Sequence, residues 1–249
     1  MALSFEIDDG LSSRAALGLI VLQTDETIES EFKWMIDLDD VCLYHSRVPS
    51  GEEVTQQTLA RMEAEIPRAV DLLPSNAPLC VIGYACTSGS AVIGEEAVAK
   101  AITSARPGVA TTNPISAAKA ALAALGVKRL GFVTPYVADV SLALRDNLEK
   151  AGFEISGLSS FEQIEEKVVT RITPQSVLDG IVDVGAGQDC DGVFVSCTNL
   201  RVGSIIEEAE KRLSKPVISS NQALAWHMLR LAGINDSITG KGQLLKTPL

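Results

Sequence analysis

Four residues around a Cys-Thr pair, Tyr84-Ala85-Cys86-Thr87, are echoed 111 positions later by Val195-Ser196-Cys197-Thr198. Gly18-Leu19-Ile20-Val21 is echoed at nearly the same interval, 113 positions on, by Gly131-Phe132-Val133-Thr134. Asp25 and Tyr136, each just beyond an apolar run, are again 111 positions apart. Three landmarks at almost one offset describe a chain that runs through the same structural plan twice. The expected product is a pair of similar lobes related by a pseudo-twofold, with the two Cys-Thr turns facing each other.

The plan within each half is legible from periodicity. Short apolar runs at 16–22, 40–44, 79–85 and 108–112 read as strands. Segments 26–35, 52–73, 94–104 and 115–125 carry apolar residues at helical spacing. The second half repeats this with strands at 129–134, 153–157, 192–196 and 216–219. Its helices are expected at 137–151, 173–184, 204–213 and 222–231. Alternation of this kind gives an α/β fold with parallel sheets and right-handed crossovers, here two Rossmann-like lobes with a cleft between them. The tandem plan sends the final strand and helix back to the first lobe. The lobes are then 1–112 with 217–249, and 113–216. The polar tail after Gly233 receives no role.

Composition supports this architecture. The 249 residues are 46% hydrophobic but only 4% aromatic, so Ala, Val, Ile and Leu must fill the core. Helices layered on a buried parallel sheet suit those residues. A net charge of −11 leaves no basic stripe for a nucleic-acid backbone. Residues 1–10 carry three acids and no apolar run, and no stretch is long and apolar enough to span a bilayer. A soluble cytoplasmic protein without nucleic-acid or membrane partners is expected.

The chemistry is narrowed by what is missing. Two histidines, no HExxH, no GxSxG and no GxxxxGK[ST] disfavour metal, serine-hydrolase and P-loop chemistry. Gly185-Ala186-Gly187 lacks the third glycine of a dinucleotide fingerprint. Five cysteines without a CxxC fit neither a disulfide framework nor a zinc site. Cys42 and Cys80 lie in apolar stretches and read as packing residues. Cys190 lies in a turn. Cys86 and Cys197 differ, because each stands where a strand ends and a helix begins, the edge at which open α/β sheets bind ligands. The small residues of Cys86-Thr87-Ser88-Gly89-Ser90 let backbone amides converge on an anion. What remains is thiol chemistry with neither metal nor organic cofactor. Two opposed thiols can remove a proton from one face of a carbon and return it on the other, which is racemisation. Alternatively one thiolate adds to an activated double bond, the bond rotates, and elimination gives the other geometric isomer. A cleft that binds a small molecule without turnover, or a thiol pair that senses oxidants, are readings from other classes.

At these residues the chain resembles the aspartate/glutamate racemase superfamily, and within it the maleate cis–trans isomerases and arylmalonate decarboxylases. The likeness rests on Gly18-Leu-Ile-Val followed by Thr27-Ile-Glu29, on Tyr84-Ala-Cys86-Thr-Ser-Gly-Ser90, on Thr134-Pro-Tyr136, and on Ser196-Cys197-Thr-Asn-Leu-Arg201. It spans nearly the whole chain. The resemblance implies two pseudo-symmetric lobes, a site between them, a small carboxylate substrate, no cofactor and a homo-oligomer. It makes Cys86 the nucleophile or first proton carrier and Cys197 the opposing acid/base. Tyr136 becomes a substrate hydrogen-bond donor, and Thr87, Ser88, Thr198 and Asn199 become carboxylate binders. The decarboxylases keep only the second cysteine, so Cys86 argues against that reaction.

Two positions depart from the pattern of the maleate isomerases. An Asn in the loop after the first strand is replaced in Gln23-Thr24-Asp25-Glu26, and a second Asn falls at Glu165-Glu166. Asp25 and Glu166 would repel a second substrate carboxylate and attract an ammonium or amide N–H. The expected substrate is therefore amino-acid-like, and racemisation or epimerisation stands ahead of maleate isomerisation. The acidic variant also resembles proteins of ectoine and hydroxyectoine utilisation, whose substrates derive from diaminobutyrate. The plain alternative for Asp25 is a helix cap.

Overall fold

A computed structural model describes residues 2–249. The first half contains β1 (Ala15–Leu22), α1 (Ile28–Met35), β2 (Val41–Val48), α2 (Gln56–Arg61), α3 (Ile66–Asp71) and β3 (Leu79–Ala85). It continues with α4 (Thr87–Ile93), α5 (Glu95–Ala105), β4 (Ala110–Thr112) and α6 (Pro114–Ala124). The second half contains β5 (Arg129–Tyr136), α7 (Ala138–Lys150), β6 (Glu154–Gln163), α8 (Glu166–Val169) and α9 (Pro174–Gly185). It ends with β7 (Gly192–Val195), α10 (Ile206–Leu213), β8 (Val217–Ser219) and α11 (Ser220–Leu231).

The strands form two four-stranded parallel sheets, ordered β2-β1-β3-β4 and β6-β5-β7-β8. The two orders are the same, so the sequence repeat is a structural one. Both central strands are enclosed by helices. All eight residues of β1 are buried, as are seven of the eight in β5. Polar side chains set the helix starts. Asn113 accepts from the amides of Ile115 and Ser116 ahead of α6, and Ser219 accepts from Gln222 ahead of α11. Gly126 and Gly152, at φ +70° and +94°, end α6 and α7 in the left-handed region.

Several expectations need correction. The helix expected over 52–73 is two helices joined by a 3₁₀ turn at Met62–Glu65. Pro67, near the start of α3, has no N–H to continue a single α-helical ladder. A helix after Cys86 is expected, but it begins at Thr87 and not at 94, although Thr87-Ser88-Gly89-Ser90 is poor in helix formers. Strands β2 and β6 run farther than their apolar cores.

The last strand does not cross back to the first lobe. β8 pairs with β7, with Phe194 opposite Ile218. The final helix does cross. α11 packs on α6, α1 and β3, while α6 in turn touches β8. Alanines in both helices permit the approach, and Gly83 accommodates Met228, whose Sδ would lie 2.8 Å from an added Cβ. The tail beyond Gly233 is structural. Leu244 and Leu245 are buried, and the Trp226 indole donates to the Thr247 carbonyl at 2.8 Å. Among the described residues no helix is long and apolar enough to cross a membrane.

Candidate active site

The candidate residues lie at the carboxyl ends of the strands, where the two lobes meet. Cys86 follows β3 and is the N-cap of α4; its Sγ accepts from the Gly89 amide at 3.1 Å. A Cβ at Gly89 would sit 2.8 Å from that Sγ and 2.9 Å from the Tyr84 hydroxyl, so only glycine leaves the thiol its place. Cys197 follows β7 with φ 107°, a strained region for a residue with a side chain. Its Sγ accepts from the Asn199 amide at 3.3 Å.

Hydrogen bonds across the lobes lock the two turns together. The Thr87 hydroxyl donates to Ser220 Oγ at 2.8 Å, and the Cys197 amide donates to the same oxygen at 3.1 Å. Thr198 Oγ1 reaches the Ala85 carbonyl at 3.4 Å, and Asn221 Nδ2 donates to the Thr198 carbonyl at 2.8 Å. Ser220 was not singled out in the sequence, although a serine pair at the end of a strand was a usable signal. Tyr136, the last residue of β5, is buried against Cys197, and its hydroxyl opposes the upward shift of that thiol.

Asp25 lies in the loop after β1 and is 4% exposed. Its Oδ1 accepts from the amides of Thr27 and Ile28, both at 2.8 Å, so the capping role is real. Its Oδ2 is buried with no hydrogen-bond partner in the structure. Glu166, the first residue of α8, is brought to the same place by a bridge between the lobes. The Val54 amide donates to the Ile164 carbonyl and the Glu166 amide to the Glu52 carbonyl. Glu166 Oε2 accepts from Asn199 Nδ2 at 2.8 Å.

Asn199 is not free to receive a substrate carboxylate in this arrangement. Its Oδ1 accepts from the Glu26 amide at 3.0 Å, and its Nδ2 is shared between Glu166 and the Thr24 carbonyl. Its type and position suggested a ligand-binding amide, but long-range contacts employ it as a strut. The hydroxyls of Thr87 and Thr198 also donate within the protein, and Ser88 Oγ lies 3.7 Å from Cys86 Sγ. The amides of Thr87 and Ser88, at the start of α4, have no intrahelical acceptor. They are the donors best suited to an anion.

Burial dominates the electrostatics. It pushes the Cys86 thiol up to about 12, opposed by the Gly89 amide and Ser88 and reinforced by Glu166 and Asp25. Cys197 is raised well above its usual value by burial and by Glu166. Glu166 is raised to about 7 by burial, with Asn199 opposing and Asp25 adding. Asp25 is raised by burial, against the pull of the Ile28 and Thr27 amides, the nearby Thr198 hydroxyl and Arg47. In this buried cluster each acidic group is therefore held toward its neutral form. A cavity of about 390 Å³ opens beside Glu166 and is lined also by Thr24, Glu26, Glu52, Glu165 and Lys167.

The remaining cysteines and histidines stand apart. Cys80 is exposed rather than packed, Cys190 is buried with its Sγ on the Gly192 carbonyl, and Cys42 is half-buried. His227 is a packed helix residue bonded to Thr112.

Comparison with known proteins gives the family and the fold. Residues 56–245 match the arylmalonate decarboxylase family. A maleate isomerase from Pseudomonas putida is 28% identical, over 92% of this chain and 96% of its own. An arylmalonate decarboxylase from Bordetella bronchiseptica is 33% identical over 127 residues, 51% of this chain and 53% of its own. Among solved structures, a cysteine-to-serine mutant of the Nocardia farcinica maleate cis–trans isomerase carries a covalently bound succinylcysteine intermediate. It superposes with a TM-score of 0.85 at 25% identity, covering 93% of this chain and 98% of that one. Fold and sequence agree: the chain belongs to the arylmalonate decarboxylase family, in the branch that also holds the maleate isomerases.

Proposed function

We propose that this chain is a cofactor-independent, cysteine-dependent isomerase that moves a proton at the stereocentre of a small amino-acid-like carboxylate. The isomerase assignment rests on the family and its maleate isomerase members. The substrate assignment rests on one observation. Asp25 Oδ2 is buried with no bonded partner, the Thr198 hydroxyl being its neighbour, and Asp25 and Glu166 both act on the two buried thiols. None of the nine residues singled out from the sequence is basic. A substrate ammonium would complete the cluster by supplying the missing donor to Asp25 and offsetting the Glu166 charge.

The same cation prepares the thiols. Both are held protonated by burial and by the two carboxylates. A positive charge placed against those carboxylates removes that repulsion and lowers both thiols toward a working range. One sulfur, as thiolate, takes the α-proton while the opposing thiol delivers its proton to the other face. The substrate carboxylate, held by the amides of Thr87 and Ser88, stabilises the developing carbanion. A dianion such as maleate would have the opposite effect, raising every acid in the cluster.

Maleate isomerisation remains the second reading, favoured by the named relatives. There Cys86 would add to the double bond and Cys197 would supply the proton, followed by rotation and elimination. Proton NMR in D₂O separates the two. The panel is diaminobutyrate and its N-acetyl derivatives, aspartate, glutamate and maleate, with Cys86→Ser and Cys197→Ser alongside. Loss of an α-proton signal from an amine-bearing compound, absent in both variants, is expected. Fumarate formed from maleate, with no exchange in any amine, would overturn the substrate assignment. Ligand binding unaffected by either cysteine variant, with no turnover, would favour a binding protein.

A further inference from the structure

Each thiol of the site has a phenol beside it, but the two phenols occupy different positions of the repeat. Tyr136 serves Cys197 from the end of β5. Its counterpart in the first half, 111 positions earlier, is Asp25. Tyr84 stands two residues before Cys86, and its counterpart in the second half is Val195. The first half therefore carries its phenol on β3, and the second carries its own on β5.

Backbone geometry turns Tyr84 toward Cys86. Alternate residues of an extended strand point to one face. Cys86 continues β3 with extended backbone, at φ −148° and ψ 113°. A Cβ added at Gly89 would lie 2.8 Å from Cys86 Sγ, 2.9 Å from the Tyr84 hydroxyl and 3.1 Å from Met62 Cε. Hydroxyl, thiol and thioether thus gather around one small gap. Tyr84 is fully buried, and its hydroxyl donates to Met62 Sδ at 3.7 Å, with no other acceptor among the described residues. A thioether is a weak acceptor. Phenylalanine would fill the same space without burying a hydroxyl, so packing does not account for the oxygen.

Cys86 is short of donors for a charged state. Its sulfur accepts from the Gly89 amide at 3.1 Å and meets Ser88 Oγ at 3.7 Å. Burial, Glu166 and Asp25 all work against its ionisation, and Tyr136 interacts with Cys197 ahead of Cys86. Burial and the neighbouring Cys86 push the Tyr84 phenol well above its usual value, so it keeps its proton and remains a donor.

We propose that Tyr84 is a positioning residue for Cys86, its hydroxyl turning from Met62 Sδ to donate to the sulfur when that sulfur becomes a thiolate. No proton is transferred. The phenol O–H stays intact, and only its acceptor changes, from thioether to thiolate. A hydrogen bond to a charged acceptor is the stronger of the two. The proposal rests on the reading of Cys86 as a working thiol, but its test needs no substrate, so the two can fail separately.

The test is the rate at which methyl methanethiosulfonate modifies each cysteine of the substrate-free protein from pH 7 to pH 10, followed by peptide mass spectrometry. In Tyr84→Phe, Cys86 should react about tenfold more slowly and Cys197 within about twofold of its wild-type rate, the effect of one lost hydrogen bond to a charged group. Buried Cys190 should keep its rate, which controls for loosening of the fold. Tyr136→Phe should slow Cys197 more than Cys86. Met62→Leu removes the competing acceptor at similar volume, so Cys86 should react as fast as in wild type or faster. A Cys86 rate unchanged in Tyr84→Phe, or slowed no more than that of Cys197, would overturn the proposal. Faster reaction of Cys86 and Cys190 together would do the same, since the hydroxyl would then only steady the fold. So would a wild-type Cys86 left unmodified at pH 10 after Cys80 is consumed, because no donor would then be bringing its thiolate within reach.

Discussion

Replacing Glu166 with Gln tests whether the cluster holds its carboxylates against ionisation. Glu166 is 7% exposed and raised from 4.5 to about 7 in the folded chain. Between those values the folded state binds a proton that the unfolded state releases. The stabilisation associated with the protonated form is complete below about pH 4.5 and is lost as pH rises through about 7. The displacement corresponds to about 3 kcal/mol. Gln keeps the shape and the neutral state, and its oxygen can still accept from Asn199 Nδ2. The variant should match wild type near pH 4.5 and become more stable by about 3 kcal/mol above pH 8, about 6–12 °C in Tm for a chain of this size. Urea unfolding of both proteins from pH 5 to pH 8.5 measures this directly. A difference that stays constant with pH, or a variant that is less stable in alkali, would show that Glu166 is ionised at no cost and refute the account of the cluster. Turnover of an amine-bearing substrate should fall in the same variant even as its stability rises.

Further outcomes follow from the same structure. Alkylation of the free protein near neutral pH should label exposed Cys80 well before Cys86 or Cys197, as peptide mass spectrometry would show, because the latter two are buried and protonated. An ammonium-bearing ligand that accelerated labelling of Cys86 would reveal the thiol activation directly. Gly89→Ala should destabilise by about 1–3 kcal/mol in denaturant titration and displace the Cys86 thiol, because the new Cβ meets Sγ and the Tyr84 hydroxyl. Leu244→Ala should cost about 2–5 kcal/mol in the same titration, a large effect for a residue so near the end of the chain. Asp25→Asn should weaken binding of an amine-bearing ligand by calorimetry, and the stability loss should be small because the amide oxygen can still cap α1.

The repeat, the strand pattern and the two Cys-Thr turns were legible because each is local or recurs at a fixed interval. Apolar runs identify parallel strands covered on both faces, and a turn rich in Ser, Thr and Gly after such a strand marks a ligand-binding edge. Asp25 and Glu166 could be singled out only through resemblance, since an acid in a loop is ordinarily a solvated one. Asn199 shows how residue type can mislead: an amide apt for binding a carboxylate is consumed by Glu26, Thr24 and Glu166. Ser220 escaped notice because the groups it joins, Thr87 and the Cys197 amide, are 133 and 23 positions away.

By itself the sequence determined the two-lobed α/β plan and the two strand ends that bear Cys-Thr turns, because periodicity and repetition are properties of the chain order. Tertiary structure alone decided the rest. It kept β8 in the second sheet while sending α11 across to the first lobe, and it anchored a tail that had looked idle. It also buried two carboxylates and two thiols where the lobes meet. Those outcomes depend on burial and on contacts between residues remote in sequence, and burial is what converts ordinary acids and thiols into groups held near neutrality.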